Sequence, residues 1–110
     1  MRLDKDLVAA SATPLILAIL TRGGSYGYAI IKEVERLSGR EIQWTEGMLY
    51  PVLHRLERNG SVESYWDTGD TGRRRKYYRL TAIGAEELRR LKQQWDFVDG
   101  MLRSTWDAEP

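Results

Sequence analysis

The chain has 110 residues, enough for one core of modest size and too few for two. Its 42% hydrophobic and 30% charged content is that of an ordinary globular protein, and its longest apolar run, around residues 15–20, falls far short of a membrane span. The absence of cysteine excludes disulfides, thiolate metal sites and thiol nucleophiles, and Met1 leads into RLDKD with no apolar leader, so a reducing cytoplasm is the expected setting.

A first helix is expected over about residues 3–22. Leu7, Ala10, Leu15, Ile16, Ile19 and Leu20 spread apolar surface over more than one of its sides, as in a helix buried between neighbours. Pro14 should bend or restart it, since proline lacks a donor and crowds the preceding turn. Gly23, Gly24 and Ser25 should stop it. A second helix follows over 26–37, with Ser25 as N-cap, Gly39 as C-terminal stop, and Ile30, Ile31, Val34 and Leu37 as its inner face. Residues 40–43 read as a short first strand. Thr45 then caps a third helix, and Glu46 suits the positive end of its dipole. On this helix Leu49, Val52, Leu53 and Leu56 recur at helical spacing and form a buried face. The opposite face carries Gly47, Tyr50, Pro51, His54 and Arg58, and Pro51 should shape that face without breaking the helix.

Residues 62–66 and 76–80 read as the two strands of a hairpin. The intervening DTGDTGRRR is too polar and glycine-rich for anything but a turn region. Trp44 and Trp66 read as core or sheet-edge residues. Tyr77 and Tyr78 alternate along a strand, so one should pack inward and the other lie beside the hairpin. Thr81 caps a fourth helix that reaches about Trp106, roughly 38 Å at ~1.5 Å per residue and too long for one small domain to cover. Along it Leu88, Leu91, Trp95, Val98 and Leu102 alternate in steps of three and four, a coiled-coil seam that calls for a partner. The best partner is the twin helix of a homodimer together with the first helix. Gly100 weakens the last turns, and the final DAEP is expected to fray. The expected architecture is mainly α with a small β-hairpin. It is a winged helix-turn-helix over 1–80, including a dimer-contacting first helix, followed by a long C-terminal dimerisation helix over 81–110, all in one compact domain.

Enzymatic readings fail on inventory. With one histidine and no cysteine, nothing marks a nucleophile–base pair, and His54 stands without an HExxH or other metal-ligand spacing. Gly69 and Gly72 are not followed by GK[ST], so they are hairpin glycines and not a phosphate cradle. Neither enzyme activity nor a cofactor nor a metal is expected.

Charge distribution says more than the net +1. Residues 45–80 hold seven basic and five acidic side chains, whereas 81–110 hold four and six. Four of the basic groups, Arg73, Arg74, Arg75 and Lys76, are consecutive and sit on the hairpin beside the third helix. A helix for the major groove and a basic hairpin for the flanking backbone are what a winged-helix reader of double-stranded DNA requires. Tyr50 and His54 would project into the groove, flanked by Thr45, Gly47 and Pro51 at the helix start, with Met48 offered to a thymine methyl. Arg55 and Arg58 would meet phosphate or solvent. Tyr26 and Tyr28 would donate hydroxyls to phosphate, and the four consecutive cations would enter the minor groove or track the backbone. The low net charge and Met48 leave an alternative open, a dimeric winged-helix protein-interaction module without specific DNA binding. Trp95 is a bulky residue for the centre of a seam. Its indoles either pack as a pair across the dimer or face each other over a gap that takes a flat aromatic ligand.

The segments SYGYAIIKEVERLSG, LYPVLHRLERNG, SYW and GRRRKYYRLTAIG occur in that order within about residues 7–102. Together they resemble the signature of PadR-type transcriptional regulators. Where that family usually has Ser and Thr, this chain has Thr45, which keeps a hydroxyl, and Met48, which does not. The resemblance implies a homodimeric, ligand-responsive repressor that binds a palindromic operator and leaves it when a small aromatic molecule occupies the dimer interface. In the branch with one short C-terminal helix, which this chain resembles, a Trp at the position of Trp95 lines a multidrug-binding pore. Carried over, Leu15 and Ile19 of the first helix and Glu87, Leu91 and Asp99 of the fourth would surround it, the carboxylates attracting cationic drugs.

Overall fold

The computed structural model describes residues 1–108. In chain order its elements are α1 (Lys5–Leu20), β1 (Ser25–Tyr26), α2 (Gly27–Leu37), α3 (Glu46–Arg58), β2 (Val62–Asp67), a single 3-10 turn (Gly69–Thr71), β3 (Arg75–Leu80) and α4 (Ala82–Asp107). The three strands form one antiparallel sheet in the order β1-β3-β2. Four helices around a small sheet with a projecting β2–β3 hairpin make a winged helix. Among the described residues no helix is long and apolar enough to cross a membrane.

Local chemistry sets most of the boundaries. Thr45 Oγ1 accepts the Met48 N–H at 3.2 Å and opens α3; Thr81 Oγ1 accepts the Gly84 N–H at 3.1 Å and opens α4. α2 ends where the Gly39 N–H donates to Arg36 O and the Arg40 N–H to Glu35 O. α3 ends by the same pattern at Gly60 and Ser61, with left-handed glycines at both ends (φ 60° and 79°). Pro14 lies inside α1 and Pro51 inside α3 without ending either helix.

Four expectations need correction. The first strand is not 40–43 but Ser25–Tyr26, paired through Ser25 with Tyr78 and Tyr26 with Tyr77. Arg40 is itself left-handed (φ 72°), and Ser38 Oγ accepts the Ile42 N–H, so residues 40–43 turn where a strand would extend. Ser25 therefore does not cap α2; Tyr26 occupies the cap position and its side chain makes no capping bond. Leu37 is 47% exposed and stands off the inner face formed by Ile30, Ile31 and Val34. α1 is buried only in its second half, through Ala12, Ile16, Leu17, Ile19 and Leu20, while Leu7 and Ala10 face outward. At the other end α4 stays helical to Asp107; Glu109 and Pro110 of the expected frayed tail lie outside the described residues.

The core gathers Ile16, Leu17 and Leu20 of α1, Ile30 and Val34 of α2, Leu49, Leu53 and Leu56 of α3, Val62, Tyr78 and Leu88. Burial, with the Glu57 carboxylate nearby, pushes the Tyr78 phenol above its ordinary pKa, so it stays neutral. Below this core the end of α3 is bonded to the start of α4. The Thr81 N–H donates to Ser61 O at 3.1 Å, the Thr81 hydroxyl to Gly60 O at 2.5 Å, and the Ser61 hydroxyl to Glu87 Oε1 at 3.3 Å. Gly84 makes the joint possible. A Cβ there would meet Ser61 O, with Leu80 Cδ1 at 2.7 Å and the Ser61 carbonyl carbon at 3.0 Å. Ser61 cannot retreat without losing the bond from Thr81. Gly84→Ala is thus expected to cost about 1–3 kcal/mol, read as a lower urea midpoint at unchanged m-value. A wild-type midpoint would show that the joint is loose.

Candidate nucleic-acid interface

The hairpin is one residue longer on each strand than its periodicity suggested, with cross-strand pairs from Val62–Leu80 to Asp67–Arg75. Successive side chains alternate between its two faces. Val62, Ser64 and Trp66 share one face with Leu80, Tyr78 and Lys76. That face begins in the core and ends beyond it, because the hairpin is longer than the layer of helices beneath. Val62 and Tyr78 are accordingly buried, as expected for one of the two adjacent tyrosines. Trp66 is 58% exposed on the edge strand β2, so of its two readings the sheet edge holds and the core does not. The sequence signal for this was its position four residues along from Val62, toward the charged turn. Trp44 is buried, as read.

Beyond the core, Trp66 joins Tyr26, Tyr28, Glu46, Tyr50 and the four consecutive cations around one open groove of about 500 Å³. The groove runs between the start of α3 and the wing. Three of these four cations lie over aromatic faces: Arg74 over the Trp66 ring at 4.8 Å, Arg75 over Tyr26 at 4.5 Å and Lys76 over Tyr78 at 5.6 Å. Arg75 also donates to Thr71 Oγ1 at 3.3 Å. Along the wing Tyr77 stacks on Tyr65 and meets Tyr26 edge-on, and Arg79 pairs with Glu63 at 2.7 Å. The result is a stiffened hairpin that carries positive charge at its tip.

Tyr50 serves packing as well as surface. Its ring lies against the start of α2, where a Cβ on Gly27 would fall 2.8 Å from Tyr50 Cζ, so the glycine of YGY is there to admit that ring. His54 is exposed one turn on, its ring 6.1 Å from Tyr50. Thr45, Gly47 and Pro51 are exposed at the same end of α3, and Tyr28 is exposed on α2. Met48, expected at the DNA, and Arg55, expected at phosphate or solvent, do not line this groove, although Arg55 is exposed. Met48 packs half-buried against the core, because its place on the helix turns it away from Tyr50. Arg55 reaches back to α1 and donates to Thr13 Oγ1 at 2.7 Å. Glu46 and Trp66, which join the groove, were not foreseen as site residues.

The residues suggested for a ligand fall in two groups. Leu15 and Trp95 line an apolar groove of about 310 Å³ between α1 and α4, with Pro14, Ala18, Leu88 and Lys92. Ile19 is buried in the core, Leu91 packs half-buried against it, Glu87 bonds to Ser61, and Asp99 bonds to Arg103 on α4. Of the expected seam, Leu88 is consumed by the protomer's own core, whereas Trp95, Val98 and Leu102 are exposed. Among the described residues no group of three His, Asp or Glu side chains is placed to hold a metal.

A wing and helix arranged around one aromatic, basic groove define a protein of the winged-helix class. Residues 16–90 match the Transcriptional regulator PadR-like family, and the chain belongs to it. An uncharacterized protein of Lysinibacillus sphaericus is 32% identical over 97 residues, covering 88% of this chain and 89% of its own length. The transcriptional regulator YqjI of Escherichia coli is 28% identical over 90 residues; the match takes in 82% of this chain but only 42% of that protein. Among solved structures, a PadR-like transcriptional regulator from Bacillus cereus superposes with a TM-score of 0.86 at 26% identity, over 96% of this chain and 100% of the other. A transcriptional regulator from Clostridium thermocellum gives 0.83 at 29% identity, over 93% and 96%.

Proposed function

We propose that the chain acts in the cytoplasm as a homodimeric repressor that binds a palindromic operator and releases it when a small aromatic ligand occupies the dimer interface. The observation that carries the DNA half is the groove in which Tyr50 of α3 and Arg73, Arg74, Arg75 and Lys76 of the wing face the same space. Phosphate contacts from the wing supply affinity, and the exposed side chains of α3 supply sequence. Support for the dimer comes from α4, where Trp95, Val98 and Leu102 are left substantially exposed along one seam. Two-fold symmetry then places the two α3 helices on half-sites about one helical turn apart.

Release follows from the joint described above. Because α4 is bonded at its start to the end of α3, a change in the angle between the two α4 helices moves the reading helices with it. A ligand between Leu15 and Trp95 shifts the balance only if it prefers the dimer geometry in which the half-sites no longer match. The test is fluorescence anisotropy of a labelled fragment from upstream of the protein's own gene against a scrambled control, repeated with flat cationic dyes while Trp emission is followed. Preference for the native fragment, its loss on adding dye, and a change in Trp emission that Trp95→Phe abolishes are expected. Equal binding to both fragments would overturn the regulator, and selective binding indifferent to every dye would overturn the ligand.

A further inference from the structure

We propose that Glu46 reads a cytosine on the floor of the major groove and, by repelling phosphate, keeps α3 from settling on DNA of the wrong sequence. The proposal rests on the DNA-binding reading of the same groove. Glu46 is the first residue of α3, is exposed, and shares the groove with Tyr26, Tyr50, Trp66 and the wing cations. Even so, it makes no ion pair among the described residues. Arg74, Arg75 and Lys76 are engaged instead with Trp66, Tyr26 and Tyr78. An unneutralised carboxylate on a surface meant for phosphate weakens binding to DNA in general. Toward DNA it is favourable only where it meets a donor on a base.

Helix-dipole stabilisation alone would explain an acidic residue in the first turn of α3. The neighbouring residue argues for more. Gly47 is a poor helix former, and a Cβ added to it would meet nothing nearer than Thr45 Oγ1 at 3.8 Å. Packing within the chain does not ask for glycine at this position. A bare backbone next to Glu46 instead lets the start of α3 come close to something outside the chain. The choice of base follows from what a carboxylate can do, which is only to accept. Two donors line the major groove, cytosine N4 and adenine N6, and the adenine donor sits beside the N7 acceptor of its own base, which repels a carboxylate. Cytosine N4 has no such neighbour on its own ring.

The experiment is anisotropy on the operator and on half-sites changed one base pair at a time, with wild type, Glu46→Ala and Glu46→Gln. Wild type should require one C·G pair, repeated symmetrically in both half-sites, by roughly 5- to 150-fold. Glu46→Ala should erase that preference and leave the others, while binding to scrambled DNA tightens. Glu46→Gln should move the preference at that pair toward A·T, because an amide pairs with adenine N6 and N7. A selective wild type whose preferences survive intact in Glu46→Ala overturns this proposal alone. A wild type that does not distinguish operator from scrambled DNA overturns the regulator reading, and this proposal with it.

Discussion

Replacing Arg73 and Arg74 together by alanine is expected to weaken binding to every DNA sequence alike and to flatten its dependence on salt. Each phosphate contact contributes about 0.9 to the slope of log K against log salt, so two contacts remove about 1.8 per protomer. Between 50 and 200 mM salt that is roughly a twelvefold smaller loss of affinity per protomer. Both side chains are exposed at the tip of the wing, and Arg74 is held over Trp66. Their removal should leave stability within about 0.5 kcal/mol of wild type, the usual range for surface substitutions. The measurement is the salt titration of anisotropy on native and scrambled fragments. A slope unchanged in the double variant would refute the wing contact. A loss confined to the operator would mean that these arginines read bases and do not hold the backbone.

Leu53→Ala and His54→Ala, adjacent on α3, should have opposite consequences. Leu53 is wholly buried among the helices of the core, and His54 is exposed beside Tyr50. Truncating a buried leucine costs about 2–5 kcal/mol, through lost transfer energy and the cavity left behind. Small domains are stable by only about 5–15 kcal/mol, so Leu53→Ala approaches the limit of folding. Its urea midpoint should fall sharply, and any loss of DNA binding should track the unfolded fraction. His54→Ala should melt with the wild type and lose operator preference. If Leu53→Ala keeps the wild-type midpoint, the face of α3 assigned to the core is wrong.

Features that depend on neighbours three or four residues away were legible before the structure. Thr45 and Thr81 open their helices as expected, because a hydroxyl and an N–H three residues on form the cap in any surroundings. Leu49, Leu53 and Leu56 are buried as their spacing required, and the two strands of the wing differ from expectation by one residue each. The same holds for the run of cations, whose place on a hairpin puts Arg73 and Arg74 at its exposed tip.

The misses share one cause, which is dependence on a remote partner. β1 is two residues long and exists only because Tyr77 and Tyr78, some fifty positions later, offer it an edge. Trp66 alternates correctly with Val62 and Ser64, yet period two assigns a face and not a depth, and the depth is set by where the helices beneath end. Met48 suits a thymine methyl by its chemistry, yet packing against the core half-buries it, and the exposed Arg55 finds a hydroxyl on α1 that local pattern does not reveal. Leu88 was assigned to a partner helix because its seam runs on through Trp95; α1 covers it first. From the sequence alone came the order of helices and wing, the caps at Thr45 and Thr81, the buried stripe of α3 and the basic wing, since each arises from short-range geometry. Only the tertiary structure brought Glu46 and Trp66 into one groove and left the far part of α4 bare, because burial is decided by residues distant in the chain that local pattern cannot reach.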